Sequence, residues 1–289
     1  MIWGVGARRT GTNLLRAILG AHSQIVATPT DIDVFLMHHD ISKYDFNNVL
    51  DKRTIYKELL GNSHLTRPYI RDGWDIDLRK LKTDINKCND ASCVIASLFI
   101  NFFRKYSEPH WCHVQHSFEY ANELEEIFPS PKYIYMYRNP LDVAASAKTH
   151  AMKRRKLNYN KNIILESCRE INRCHQGYLD IVNKYDDDRI LYVRYGDLVY
   201  SKELEIKRIT DFLGLKFEPN QMKFNEHYTV KGGLPYYSNS SYKSKRDNSW
   251  GKYWKEYKGE ELIYSSSVDK WKDILTDEEV ELVKREIHR

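Results

Sequence analysis

The sequence predicts an α/β fold in which a mostly parallel central sheet carries helices on both faces. Three observations predict it. Short runs of β-forming residues recur at 1–5, 24–28, 111–115, 132–137 and 190–193. Segments whose apolar residues keep helical spacing lie between them. A glycine-bearing turn follows one strand and an arginine follows another, at the strand ends where open α/β sheets bind ligands.

The first apolar run ends at Gly6 and reads as a buried strand. Residues 12–21 then place Leu14, Leu15, Ile18 and Leu19 on one helical face. After the strand at 24–28, the segment 31–109 holds a helix at 91–106 and several polar turns. A strand at 111–115 leads into a helix at 117–128 that Pro129 stops. The run KYIYMY at 132–137 is rich in β-formers. Asn139 suits the N-cap of the next helix, Pro140 its first position and Asp142 its third. A long helix covers 163–185, a strand 190–193 and a helix 202–213. Gly232 and Gly233 open a polar, aromatic loop, and a last helix covers 277–288. No repeat or low-complexity linker divides the chain, so 1–289 reads as one domain with a mobile late loop at about 231–258.

Hydrophobic residues make up 42% and charged residues 29%, which supplies a core and excludes a disordered chain. The longest apolar stretch, 94–103, is broken by Ser97 and Asn101 and falls short of the roughly 18 residues that span a bilayer. Arg8 and Arg9 interrupt what would be the apolar core of a leader. The expectation is a cytoplasmic protein with no transmembrane segment. The five cysteines, Cys88, Cys93, Cys112, Cys168 and Cys174, contain no CxxC pair, and an odd, sparse set fits a reducing compartment. The net charge of +5 is mild, but Lys231, Lys243, Lys245, Arg246, Lys252, Lys255 and Lys258 share one late stretch. Such a stretch is either a solvated face or a site for a polyanion. No nucleic-acid module is recognisable, so nucleic acid is not expected as a partner.

Residues 2–15 read IWGVGARRTGTNLL, a strand running through a glycine turn into a helix. That arrangement aims backbone N–H groups at an anion. Gly6 and Gly11 permit close approach, Thr10 and Thr12 offer hydroxyls, and Arg9 adds fixed charge. The Gly6-to-Gly11 spacing matches a P-loop, but Thr12 and Asn13 replace the lysine and hydroxyl residue of GxxxxGK[ST]. A kinase or nucleotidase would need that lysine and a strand ending in a metal-binding aspartate. A second anchor, YIYMYRNPLDVAAS, puts Arg138 at the end of a strand and Ser146 eight residues later in the next helix. A non-enzymatic polyanion-binding protein would explain the late basic stretch but not this Arg138/Ser146 arrangement.

The run from Gly6 through Arg8, Arg9, Thr10, Gly11, Thr12 and Asn13 to Leu15 resembles the 5′-phosphosulfate loop, GxPRSGTTLL, of sulfotransferases that use 3′-phosphoadenosine 5′-phosphosulfate (PAPS). Arg8 stands at the proline, Thr10 at the serine and Asn13 at a threonine of that pattern. The following RAILGAH looks like the Golgi and tyrosylprotein branch, which places glutamates where Pro29 and Thr30 stand here. That departure argues against tyrosine as acceptor. Arg138, Asn139, Pro140, Asp142, Val143 and Ser146 resemble the family's 3′-phosphate motif. Tyr195-Gly196-Asp197-Leu198 resembles its YEDL segment, whose tyrosine lies near adenine. Phe212-Leu213-Gly214-Leu215 resembles its FLGL, and Lys231-Gly232-Gly233 resembles its 3′-phosphate glycine turn. Trp271 with Leu275, Thr276, Glu278 and Glu279 resembles the last helix of many bacterial members.

The resemblance implies a P-loop-NTPase-like fold and sulfuryl transfer from PAPS to a small-molecule, lipid or glycan acceptor, with 3′,5′-ADP as product and no metal. It assigns the cofactor to Arg8, Arg9, Thr10, Gly11, Thr12, Asn13, Arg138, Ser146, Tyr195, Lys231, Gly232 and Gly233. Arg9 would hold charge developing on the departing phosphate. His116 precedes Arg138 by 22 residues, the interval that separates the catalytic histidine from the 3′-phosphate arginine in cytosolic members. It is the expected general base, with His113, Glu119 and Asp31 as competitors. The family's lysine two residues before that histidine is Val114 here. Cys112, His113 and His116 lack a standard zinc-ligand spacing.

Overall fold

A computed structural model describes residues 1–28, 32, 34–60, 76–119, 121, 125–153, 160–185, 188–224 and 267–287. Its strands are β1 Ile2–Val5, β2 Ile25–Ala27, β3 His110–Gln115, β4 Lys132–Tyr137 and β5 Ile190–Arg194. They form one sheet in the order β2-β3-β1-β4-β5, and every pairing is parallel. The helices are α1 Thr12–Gly20, α2 Val34–Ile41, α3 Val49–Leu60, α4 Leu78–Lys87, α5 Ala91–Phe103, α6 Pro140–Lys153, α7 Asn162–Lys184, α8 Tyr195–Tyr200, α9 Lys202–Phe212 and α10 Asp277–Ile287. None of the described helices is long and apolar enough to cross a membrane.

The strands are apolar on both sides because both faces are covered. Ile2, Cys112, Val114, Ile134, Met136 and Val193 pack into one layer with Leu15, Ile18 and Leu19 of α1 and Ile206 and Ile209 of α9. Trp3, Tyr133 and Tyr135 face the other layer, with Phe99 and Phe103 of α5 and Ile171 and Cys174 of α7. β1 lies between β3 and β4, and the chain leaves it toward β3 first and β4 later. The crevice at its carboxyl end is therefore the switch point where such sheets bind ligands. Val5 is level with Gln115 on one side and Tyr135 on the other. Gly6, His116 and Met136 thus emerge in the next row.

Among the described residues of the segment 31–109, where pattern defined only one helix, four are present, α2 to α5. Asp77 caps α4 and Asp90 caps α5 by accepting backbone N–H groups. Two expectations are corrected. Cys88 and Cys93 form a disulfide across the turn between α4 and α5, with Cα atoms 5.3 Å apart, while Cys112, Cys168 and Cys174 are buried thiols. The cysteines are therefore not the uniformly reduced set their number and spacing implied. The helix expected from residue 117 does not begin there. The Gln115 amide donates to the Ser117 carbonyl at 2.7 Å and the Glu119 N–H donates to Ser117 Oγ at 3.0 Å, so these residues form a turn.

Candidate active site

The turn after β1 is held by its own groups. Thr10 donates from its hydroxyl to the Ala7 carbonyl at 2.7 Å, and its N–H reaches the same oxygen. A Cβ on Gly6 would come within 2.6 Å of the Met136 carbonyl and of Thr10 Oγ1. Gly11, with φ 105°, precedes α1, and a Cβ there would meet the Tyr195 ring at 2.6 Å. Only glycine fits these two places. Arg9 also has a positive φ, 74°, a conformation that side chains rarely adopt and that functional loops retain. Thr12 is buried in the first turn of α1, and Asn13 accepts a hydrogen bond from the buried Arg16.

This loop meets the second anchor directly. Arg9 donates from Nε to Ser146 Oγ at 3.0 Å, although 137 residues separate them. Arg138 donates from Nη1 to the Arg9 carbonyl at 3.0 Å and from Nη2 to the Ser267 carbonyl. Its guanidinium lies over the Tyr195 ring, 4.6 Å from the centroid. Arg138 is half-buried, and desolvation is the main influence that lowers its pKa from the ordinary value. Among the described residues no carboxylate makes an ion pair with it, and its Nε has no hydrogen-bond partner.

Arg8 takes another direction. Its N–H donates to Glu170 of α7 at 2.9 Å, its guanidinium lies 3.5 Å from the same carboxylate, and its side chain is 60% exposed. The two histidines also separate. His113 is fully buried; its Nε2–H donates to the Ile32 carbonyl at 2.8 Å, which leaves Nδ1 to accept from the Thr28 hydroxyl at 2.7 Å. Both ring nitrogens hold the core. His116 lies at the sheet's carboxyl edge and donates from Nδ1 to the Gly6 carbonyl at 3.1 Å. In the neutral ring that bond places the lone pair on Nε2. Glu119 is exposed. Asp31, Lys231, Gly232 and Gly233 lie outside the described residues, as does the late loop. Cys112 packs in the layer of α1, away from His113, so these side chains do not converge as metal ligands.

Trp271, matched by resemblance to the last helix, lies instead in a short 3-10 turn at Lys270–Asp273 that packs on α6 ahead of α10. Asp142 binds the Asp269 and Trp271 N–H groups, across intervals of 127 and 129 residues. Its place in the first turn of α6 was legible; its distant partners have no local signature.

The sequence profile of the sulfotransferase family matches residues 2–219. The chain belongs to the sulfotransferase family. Its fold is shared with solved sulfotransferases. The sulfotransferase domain of an olefin synthase from Synechococcus PCC 7002 superposes with a TM-score of 0.64 at 19% identity, covering 99% of this chain and 93% of that one. The sulfotransferase domain from the curacin biosynthetic pathway gives 0.53 at 18% identity, over 92% and 94% of the two chains. Mouse sulfotransferase SULT7A1, solved with PAP, gives 0.51 at 15% identity, over 99% and 82%. No curated protein gives a significant match. Both anchors of this family member fall inside the matched span.

Proposed function

We propose that this sulfotransferase takes its sulfuryl group from PAPS, passes it to a hydroxyl or amine of a small-molecule, lipid or glycan acceptor, and releases 3′,5′-ADP. The observation that carries the proposal is Arg138: a half-buried guanidinium whose buried Nε has no hydrogen-bond partner, held by carbonyls beside a phosphate-type loop. Its partnerless Nε is the kind of orphaned donor that a phosphate satisfies. The PAP bound to the mouse neighbour supports the same ligand. When bound, PAPS supplies the sulfuryl group already activated as a mixed anhydride.

The first turn of α1 and the hydroxyls of Thr10 and Thr12 would hold its 5′ end, since a helix start offers N–H groups without intrahelical partners. Arg138 and Ser146 would hold the 3′-phosphate. Arg9 is a fixed cation that cannot act as an acid, so its task is to stabilise negative charge on the departing phosphate. His116 accepts the acceptor's proton at Nε2, because the Gly6 carbonyl keeps the other proton on Nδ1.

A thermal-shift panel tests the proposal. Stabilisation by 3′,5′-ADP and not by ATP is expected, since a ligand raises stability only through the state that binds it. Stabilisation by ATP alone would indicate a kinase-type site, and stabilisation by heparin alone a polyanion-binding protein.

A further inference from the structure

We propose that Asp142 is a positioning residue for recognition of the nucleotide's 3′-phosphate: it holds the turn 267–271 so that the Ser267 carbonyl fixes the Arg138 guanidinium. The proposal rests on the reading of this site as one for a 3′,5′-phosphorylated nucleotide.

Asp142 is 2% exposed. Its Oδ2 accepts the Asp269 N–H at 3.1 Å and its Oδ1 accepts the Trp271 N–H at 3.2 Å. A buried carboxylate is costly unless its oxygens are bonded, and here backbone amides of one distant turn bond both. Asp269, the first of these donors, has φ 60°, a left-handed conformation that costs a non-glycine residue energy. The carboxylate that grips the chain at this residue and two residues beyond stabilises that bend. Two residues before the bend lies Ser267, whose carbonyl accepts from Arg138 Nη2. Lys148, farther along α6, fastens the same segment through the Ile274 carbonyl at 3.0 Å and Glu279 at 2.8 Å.

The consequence falls on Arg138. Its Nη1 is fixed by the Arg9 carbonyl, its Nη2 by the Ser267 carbonyl and its plane by Tyr195. Three contacts leave the guanidinium one orientation, with the Nε edge unpartnered. An arginine fixed before its anion arrives loses less freedom on binding than a mobile one. If the turn were released, Nη2 would lose its carbonyl and the guanidinium one of its three constraints.

Asp142 is also close enough to Arg138 to attract it electrostatically. As a nearby negative charge alone, it would repel an incoming phosphate, and removing the charge would tighten binding. As a positioning residue its removal weakens binding. The two roles give opposite signs.

Titration calorimetry of 3′,5′-ADP and 5′-AMP against the wild-type chain and Asp142→Asn decides between them. The asparagine keeps the size but replaces one accepting oxygen by an N–H₂ that cannot accept. We expect 3′,5′-ADP to weaken by about tenfold and 5′-AMP by less than about twofold, the scale of one lost charge-assisted hydrogen bond. A merely structural role would weaken both nucleotides alike. Equal weakening of both, or 3′,5′-ADP affinity that is unchanged or tighter, overturns the proposal. A wild-type chain that fails to prefer 3′,5′-ADP refutes the nucleotide reading beneath it, a result seen before any variant is compared. Hydrogen exchange of wild-type residues 267–274 supplies a test that does not depend on the variant folding. Slower exchange with 3′,5′-ADP than with 5′-AMP is expected, and equal exchange contradicts the coupling.

Discussion

Arg9 and Arg138 bring two positive charges to one loop, and their neighbours separate their tasks. Arg138, half-buried like Arg9, is fixed by two carbonyls and an aromatic face, which suits a permanent binding contact. Arg138→Ala is expected to weaken 3′,5′-ADP by about tenfold or more while affecting 5′-AMP much less, measured by calorimetry. Arg9 is half-buried and bonded to a hydroxyl, so its guanidinium can follow charge as it develops. Arg9→Ala is expected to lower kcat by about 100-fold with a smaller loss of 3′,5′-ADP affinity, the scale of losing one oxyanion-type donor. A variant that keeps kcat and only raises KM would make Arg9 a binding residue. The histidines divide in the same way. His116→Ala is expected to lower kcat by about 10² to 10⁴-fold, and the wild-type rate should fall on the acid side, because an imidazolium cannot take the acceptor's proton. His113→Ala should instead lower the melting temperature, since it leaves a cavity beside Trp3 and Phe99 and strips partners from Thr28 and the Ile32 carbonyl.

At the scale of elements, the turn after β1 depends on how closely backbone approaches backbone. Gly6→Ala would press a methyl group against the Met136 carbonyl, so the loop must move. We expect 3′,5′-ADP affinity to fall by more than about tenfold and the melting temperature to drop, read in one thermal-shift series with and without nucleotide. The turn between α4 and α5 makes a simpler prediction. Thiol titration of the unreduced, unfolded chain should count three thiols, the number left free by the Cys88–Cys93 bond. Five would contradict it. These two turns also show what was legible in the sequence. The strand, glycine turn and helix around Gly6 are consecutive, and local pattern carries them. The five strands were legible for the same reason, each being a short run of β-forming residues. The disulfide was not, because a five-residue spacing carries no standard signature. The helix expected from 117 failed because Gln115 and Ser117 offered the backbone nearer partners than a helical turn.

For the whole molecule, strand order explains why the site assembles. Placing β1 between β3 and β4 brings Gly6, His116 and Arg138 to one edge from three distant stretches of chain. Sequence order alone identified each candidate but not its neighbours. The Arg9–Ser146 contact and the grip of Asp142 on the 267–273 segment depend on that topology, whereas the separation of His113 from His116 follows from the alternation of faces along a strand. Arg8 shows the limit from the other side: it lies in the loop motif, yet its side chain reaches Glu170. Under the proposed function, this assembled edge reads a nucleotide carrying phosphate at both its 3′ and 5′ positions. Titration calorimetry on the wild-type chain tests it most directly. A preference for 3′,5′-ADP over 5′-AMP of at least about tenfold, roughly 1.4 kcal/mol, is the predicted result. Equal affinity for the two nucleotides would contradict it.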